Sequence, residues 1–170
     1  LLPALKNPEM QGEKQMENVR MNQILSRFWD GIPYGTGTSC SVTTLLALAE
    51  YYDMQEPWLK DIATPFGGGV CHSHASVCGV VSGALLFLGL KFPVGEEKLG
   101  QETSARLGAA LIEHVKRKFG NDVCDRILDI DFNDAEQVKR EKADKYESIC
   151  QPIMRSVCGW VIDEIAKLEQ

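Results

Sequence analysis

An all-α fold, a single-domain bundle of about five to six helices with a glycine-rich loop ahead of a buried helix, follows from three observations. No segment alternates apolar and polar residues with period two over enough positions to demand a strand. Apolar residues instead recur at three- and four-residue steps in several stretches. Glycine and proline fall between those stretches, where helices stop.

One domain is expected over 1–170, with 1–12 as an extended N-terminal arm. Glu13 to Trp29 places Met16, Val19, Met21, Ile24, Leu25 and Phe28 near helical spacing, with Gly31 positioned to end the helix. After the loop IPYGTGT, SCSVTTLLALAEYY (39–52) reads as a mostly apolar helix, with Thr38 and Ser39 as hydroxyl acceptors for its first turn. Trp58 to Ala63 is a short helix broken by Pro65 and Gly67, Gly68 and Gly69. A buried helix runs from about Ser76 to Leu90 and stops before Pro93. Glu102 to Phe119 is amphipathic, its stripe formed by Leu107, Ala110, Leu111, His114, Val115 and Lys118, with Gly120 beyond its end. Val123 to Leu128 gives a short helical turn, and DFNDAEQVKREKADKYES reads as a solvated loop with a frayed helix. CQPIMRSVCGWVIDEIAKL closes the chain as a long helix with Pro152 in its first turn, where a missing N–H does no harm. There is no internal repeat.

Composition narrows the function classes. The net charge is -6, and the lysines and arginines are scattered rather than striped, which argues against a nucleic-acid partner. The apolar run VCGVVSGALLFLGL falls short of the roughly 18 residues a membrane helix needs, so membrane insertion is not expected. The compartment is left open.

The chemistry lies in the cysteines: Cys40, Cys71, Cys78, Cys124, Cys150 and Cys158. Six in 170 residues is below the density of a disulfide scaffold. Cys71 and Cys158 read as small apolar residues. Cys40, Cys78, Cys124 and Cys150 share a placement at or just before expected helix starts, where unpaired N–H groups and the helix dipole lower a thiol pKa. Four thiolates gathered at one point persist only if a cation, a cluster of iron ions or disulfide formation neutralises them.

The segment FGGG followed by CGVVSGALLFLGL, with Cys40 in an apolar helix, a later Cys124 and a terminal cysteine helix, resembles the redox-active family named C_GCAxxG_C_C for its cysteine string. The resemblance covers about Ile24 to Leu168. The cysteine pattern is also similar to that of the iron–sulfur-bearing domain of split-Soret cytochrome c. These likenesses imply a helical fold, a redox role and an iron–sulfur cluster, 2Fe-2S or 4Fe-4S, held by Cys40, Cys78, Cys124 and Cys150. Cys158, eight residues beyond Cys150, faces nearly the same way, and Cys150 is preferred because CQPIM sets it at a helix mouth.

Other readings of the glycine–cysteine–histidine stretch fail on spacing. No lysine follows the glycines as a phosphate loop requires, CHSH lacks the second cysteine of a c-type haem site, and no cysteine pair has zinc-ribbon spacing. His72 and His74 read as solvated loop residues. The glycines would let the chain turn and approach the site closely, and Gly79 and Gly83 would let a helix pack near the backbone. DIDFND lacks the glycine and the terminal glutamate of a calcium loop. His114 is a boundary residue able to hydrogen-bond a cluster sulfur, and Trp29, Trp58 and Trp160 serve as core or interface anchors. The expected function is therefore electron transfer or redox sensing with a redox partner protein, and a homodimer contact is allowed for. A cluster-free thiol–disulfide oxidoreductase and a non-catalytic binding or scaffold module with a structural metal are the alternatives.

Overall fold

The computed structural model describes residues 19–28, 38–95 and 99–169. The expected N-terminal arm, the loop IPYGTGT up to Gly37, Trp29 and the start of the first helix lie outside the described residues. Helix α1 covers 19–28. It is followed by α2 (Cys40–Tyr51), α3 (Leu59–Ala63), α4 (Gly79–Lys91), α5 (Leu99–Phe119), α6 (Cys124–Leu128), α7 (Ala135–Lys145) and α8 (Gln151–Ala166). A 3-10 turn, Thr64–Phe66, extends α3, and a π turn, Tyr146–Cys150, joins α7 to α8. Among the described residues the fold is all-α, and an isolated antiparallel bridge between Val77 and Val123 stands in place of any strand.

Helices α2 and α4 form the centre because their small residues let them touch. A Cβ at Gly83 would collide with the Ser41 carbonyl oxygen, and one at Gly79 would lie 3.2 Å from Cys40 Cβ. Around this contact Leu45, Leu48, Phe87, Leu88, Leu111, Ile153, Met154, Val157 and Val161 are buried in one large core shared with α5 and α8. Each such side chain contributes ~1.5–3 kcal/mol through removal from water. Ser39 caps α2, its hydroxyl accepting from the Val42 N–H at 3.5 Å, and Ser41 ties α3 to α2 by donating to the Ala63 carbonyl at 2.7 Å. No helix among the described residues is long and apolar enough to cross a membrane.

Several elements differ from the sequence expectation. Helix α4 starts at Gly79 rather than near Ser76, because Val77 and Cys78 are committed to pairing with residues 122–123 through the bridge and the bond from Cys78 N–H to Asp122 O at 2.7 Å. In α5 the buried stripe is Leu107, Gly108, Leu111 and Val115, while Ala110 and Lys118 are exposed. Gly108 is tolerated there because Leu85 fills its space, 2.8 Å from where a Cβ would be. Trp58 is not a core anchor, being 48% exposed.

The charged stretch expected to fray is a capped helix. Asp134 accepts from the N–H groups of Glu136 (3.0 Å) and Gln137 (3.1 Å), satisfying donors that would otherwise be orphaned at the start of α7. The last helix has no free mouth at Cys150. Residues 135–166 form one helical run, and Cys150 has φ -64 and ψ -42 inside it. Pro152 cannot donate to the ladder and its ring crowds the carbonyl four residues back. The widened turn, closed by Gln151 N–H to Tyr146 O, takes up that conflict just upstream.

Candidate functional site

The four sequence-predicted cysteines are divided between two apolar clusters, near enough for their charges to act on one another. Cys78 belongs to the large core and Cys40 packs on it, whereas Cys124 and Cys150 lie in a smaller cluster with Leu128, Ile130 and Phe132. They come from the start of α2, the residue before α4, the start of α6 and the end of the π turn. All six cysteines of the chain are free thiols. Cys71 is exposed on the loop surface, and Cys158 is fully buried in hydrocarbon with burial as the sole cause raising its pKa, to about 12.

The electrostatics link the four to one another. The side chain of Cys150 is the largest influence holding Cys40 below the usual thiol range against its own desolvation, helped by its backbone N–H and by the Lys142 ammonium. The same pairing, with burial and the charges of Cys40, Cys78 and Cys124, pushes Cys150 strongly up. Cys78 and Cys124 are each raised to about 12, by burial first and then by the neighbouring sulfurs.

The expectation that helix starts lower all four pKa values therefore fails for three of them. The N–H groups of Val80 and Val81 do favour the Cys78 thiolate, but burial and the Cys40 charge outweigh them. At α6 the leading N–H groups are already occupied: Cys124 N–H donates to Ser76 O (2.9 Å) and Asp125 N–H to His74 O (2.8 Å). Cys150 sits inside a helix rather than at its positive end.

The glycine-rich loop is built in a hand that L-residues avoid. From Gly68 to His72 every φ is positive, at 57, 67, 59, 52 and 56°, and His74 is at 58°. Each non-glycine residue so held costs ~1–2 kcal/mol. The loop is fastened by Cys71 N–H to Pro65 O (2.6 Å), His72 N–H to Gly67 O (3.1 Å) and His74 N–H to Gly68 O (2.8 Å). It delivers His74, expected to be solvated, onto the site. The ring Nδ1 is 3.6 Å from Cys124 Sγ, and the ring stacks on Phe132 at 3.6 Å between centroids and 10° between planes. Lys142 Nζ lies over the other ring, 5.8 Å from the Phe132 centroid. Burial, then Lys142 and His72, hold the His74 pKa below the ordinary value. His72 is exposed, as expected. His114 stands away from the thiols, its Nε2 3.1 Å from Ser156 Oγ and its ring stacked with Trp160.

His74, Phe132 and Lys142 are the site residues the sequence reading missed. The only local signal was CHSH beside the glycines, since Phe132 and Lys142 lie in the stretch that looked solvated.

As a donor set, the four thiols, none of them in a disulfide, offer sulfur ligands. A tetrahedral ion with ~2.3 Å bonds needs sulfurs about 3.8 Å apart. Among the described residues no group of three or more His, Cys, Asp or Glu side chains is arranged to hold a metal ion.

A family model described as "Putative redox-active protein (C_GCAxxG_C_C)" matches residues 38–164, a span that contains every residue of this site. No curated protein and no solved structure matches the chain significantly.

Proposed function

Because the chain belongs to the C_GCAxxG_C_C family of redox-active proteins, we propose that it carries an iron–sulfur cluster on Cys40, Cys78, Cys124 and Cys150 and acts in electron transfer or redox sensing. One observation carries the reading: the partly buried Cys40 and the buried Cys78, Cys124 and Cys150 come from four separate segments, none is in a disulfide, and their charges act on one another. Hydrocarbon burial alone, as at Cys158, requires no such meeting. When bound, the cluster supplies a centre that takes up and returns an electron by changing the oxidation state of iron.

The residues of the chain prepare that chemistry. Cys40, already biased toward thiolate, is the first sulfur ready to ligate, and the other three must lose protons that burial and mutual repulsion hold in place. Positive charge among them removes the repulsion, so deprotonation and loading are one coupled step. Helix–helix packing around Gly79 and Gly83 sets Cys40 against the start of α4, next to Cys78, which is buried. Lys142 offsets part of the negative charge from the α7 side. A redox partner protein would exchange the electron.

The contact between Cys40 and Cys150 favours a second reading, thiol–disulfide exchange. The Cys40 thiolate would attack a substrate disulfide and release one substrate thiolate. The Cys150 thiolate would then displace the second, leaving a Cys40–Cys150 disulfide.

Anaerobic purification separates the two. The proposed protein is brown, with broad charge-transfer absorption, a paramagnetic signal on reduction, and iron and acid-labile sulfide in stoichiometric amounts. Colourless protein without iron overturns the cluster and leaves the thiol chemistry, while stoichiometric zinc points to a structural metal.

A further inference from the structure

We propose that His74 tunes the thiol site, donating its Nδ1–H to the Cys124 sulfur while Phe132 and Lys142 hold its ring in place; the inference rests on the cluster reading above. The sulfur of a bound cysteine carries no proton, so at 3.6 Å the hydrogen between Cys124 Sγ and Nδ1 belongs to the imidazole. This assigns the Nδ1-protonated tautomer, with Nε2 left as an acceptor.

The loop makes sense as the means of reaching this contact. A Cβ at Gly69 would lie 2.8 Å from His74 Cα and 2.9 Å from Cys124 Cβ, and one at Gly68 would lie 3.2 Å from His74 Cε1. Gly69 therefore clears space for His74 and Cys124, whereas the nearest neighbours at Gly68 are His72 Nδ1 at 2.7 Å and His72 Cα at 3.1 Å. The His74 backbone is pinned on both sides, its N–H to Gly68 O and its carbonyl to the Asp125 N–H, each at 2.8 Å. Stacking on Phe132 then fixes the ring plane, and Lys142 places a cation beyond it. Five consecutive left-handed residues are an expensive way to place a histidine that merely faces solvent. Hydrogen bonds to cluster sulfurs stabilise the reduced, more negative state and raise the potential.

The test compares His74→Phe with His74→Asn in the full chain. Phenylalanine keeps the stack and loses the donor. Asparagine tolerates a positive φ and sets its amide nitrogen where Nδ1 was, so it keeps the donor and loses the stack. With iron and sulfide per chain equal to wild type, the reduction potential of His74→Phe shifts negative and that of His74→Asn stays near wild type. Unchanged potentials, or equal shifts in both variants, overturn the inference. If the wild-type chain holds no iron, the cluster reading fails and the histidine is judged on metal-free protein, by iodoacetamide labelling of Cys124 at neutral pH followed by mass spectrometry. His74→Phe then labels several-fold more slowly and His74→Asn near the wild-type rate, because the thiolate is the nucleophile. Equal rates, or faster labelling of His74→Phe, overturn it.

Discussion

Cys150 and Cys158 lie on one helical run, both buried, and differ in what surrounds them. Cys158 is fully buried in the large apolar core, and burial alone accounts for its raised pKa. Cys150 is raised by burial and by the side chains of Cys40, Cys78 and Cys124 together. Burial does not separate a structural cysteine from a chemical one; the company of other sulfurs does. The same contrast holds between the two apolar clusters. The large one is ordinary close packing of α2, α4, α5 and α8. The small one, around Cys124, Cys150 and Phe132, borders a strained loop and a π turn.

Cysteine substitutions sharpen the contrast most. Cys40→Ala and Cys78→Ala are expected to abolish iron and sulfide binding, read by elemental analysis and loss of colour. Cys158→Ala keeps the cluster and costs roughly 1–2 kcal/mol of stability, read by denaturant melting. Loss of iron in Cys158→Ala with retention in Cys150→Ala would reverse the assignment.

The packed side of the molecule is probed next. Gly83→Ala drives a methyl into the Ser41 carbonyl, where backbone rather than a flexible side chain must yield. It should cost ~1–3 kcal/mol and lower Tm. Gly108→Ala meets only the end of the Leu85 side chain and should cost less. On the small-cluster side, Asp134→Ala removes the α7 cap and should cost about 1 kcal/mol.

The smallest effect is pH-linked. Burial first, then Lys118 and Arg117, hold the His114 pKa below its ordinary value. The unfolded chain thus binds more protons at mildly acidic pH. The contribution is complete above about pH 6.5 and is lost as pH falls toward the depressed folded value. His114→Gln should flatten that part of the stability profile, measured by melting between neutral and mildly acidic pH.

The sequence showed the helices because they depend on local pattern, whereas the grouping of Cys40, Cys78, Cys124 and Cys150 was an implication of the family likeness. Ser39 as cap, Gly79 and Gly83 as close-approach points and the apolar spacing of α2 and α4 are visible within a few residues. The left-handed loop was only half visible, because Gly68 and Gly69 announce positive φ whereas Val70, Cys71 and His72 do not. The cap hidden in DFND was lost among acidic neighbours that suggested solvation. The pKa directions could not be read from helix starts, since they come from burial and from sulfurs distant in sequence. Thr38–Glu164 carries the family likeness, while His74, Phe132 and Lys142 had to be brought together by folding.

The widened turn before Cys150 also sets an angular phase. Eight steps of an uninterrupted helix would aim Lys142 about 80° away from Cys150, whereas absorbing one residue leaves the equivalent of seven, a misalignment of about 20°. The lone extra residue thereby rotates the entire charged segment of α7 relative to Cys150. Thiol and counter-charge sit on one rod, and shortening that turn by a single position would swing one relative to the other without altering either side chain.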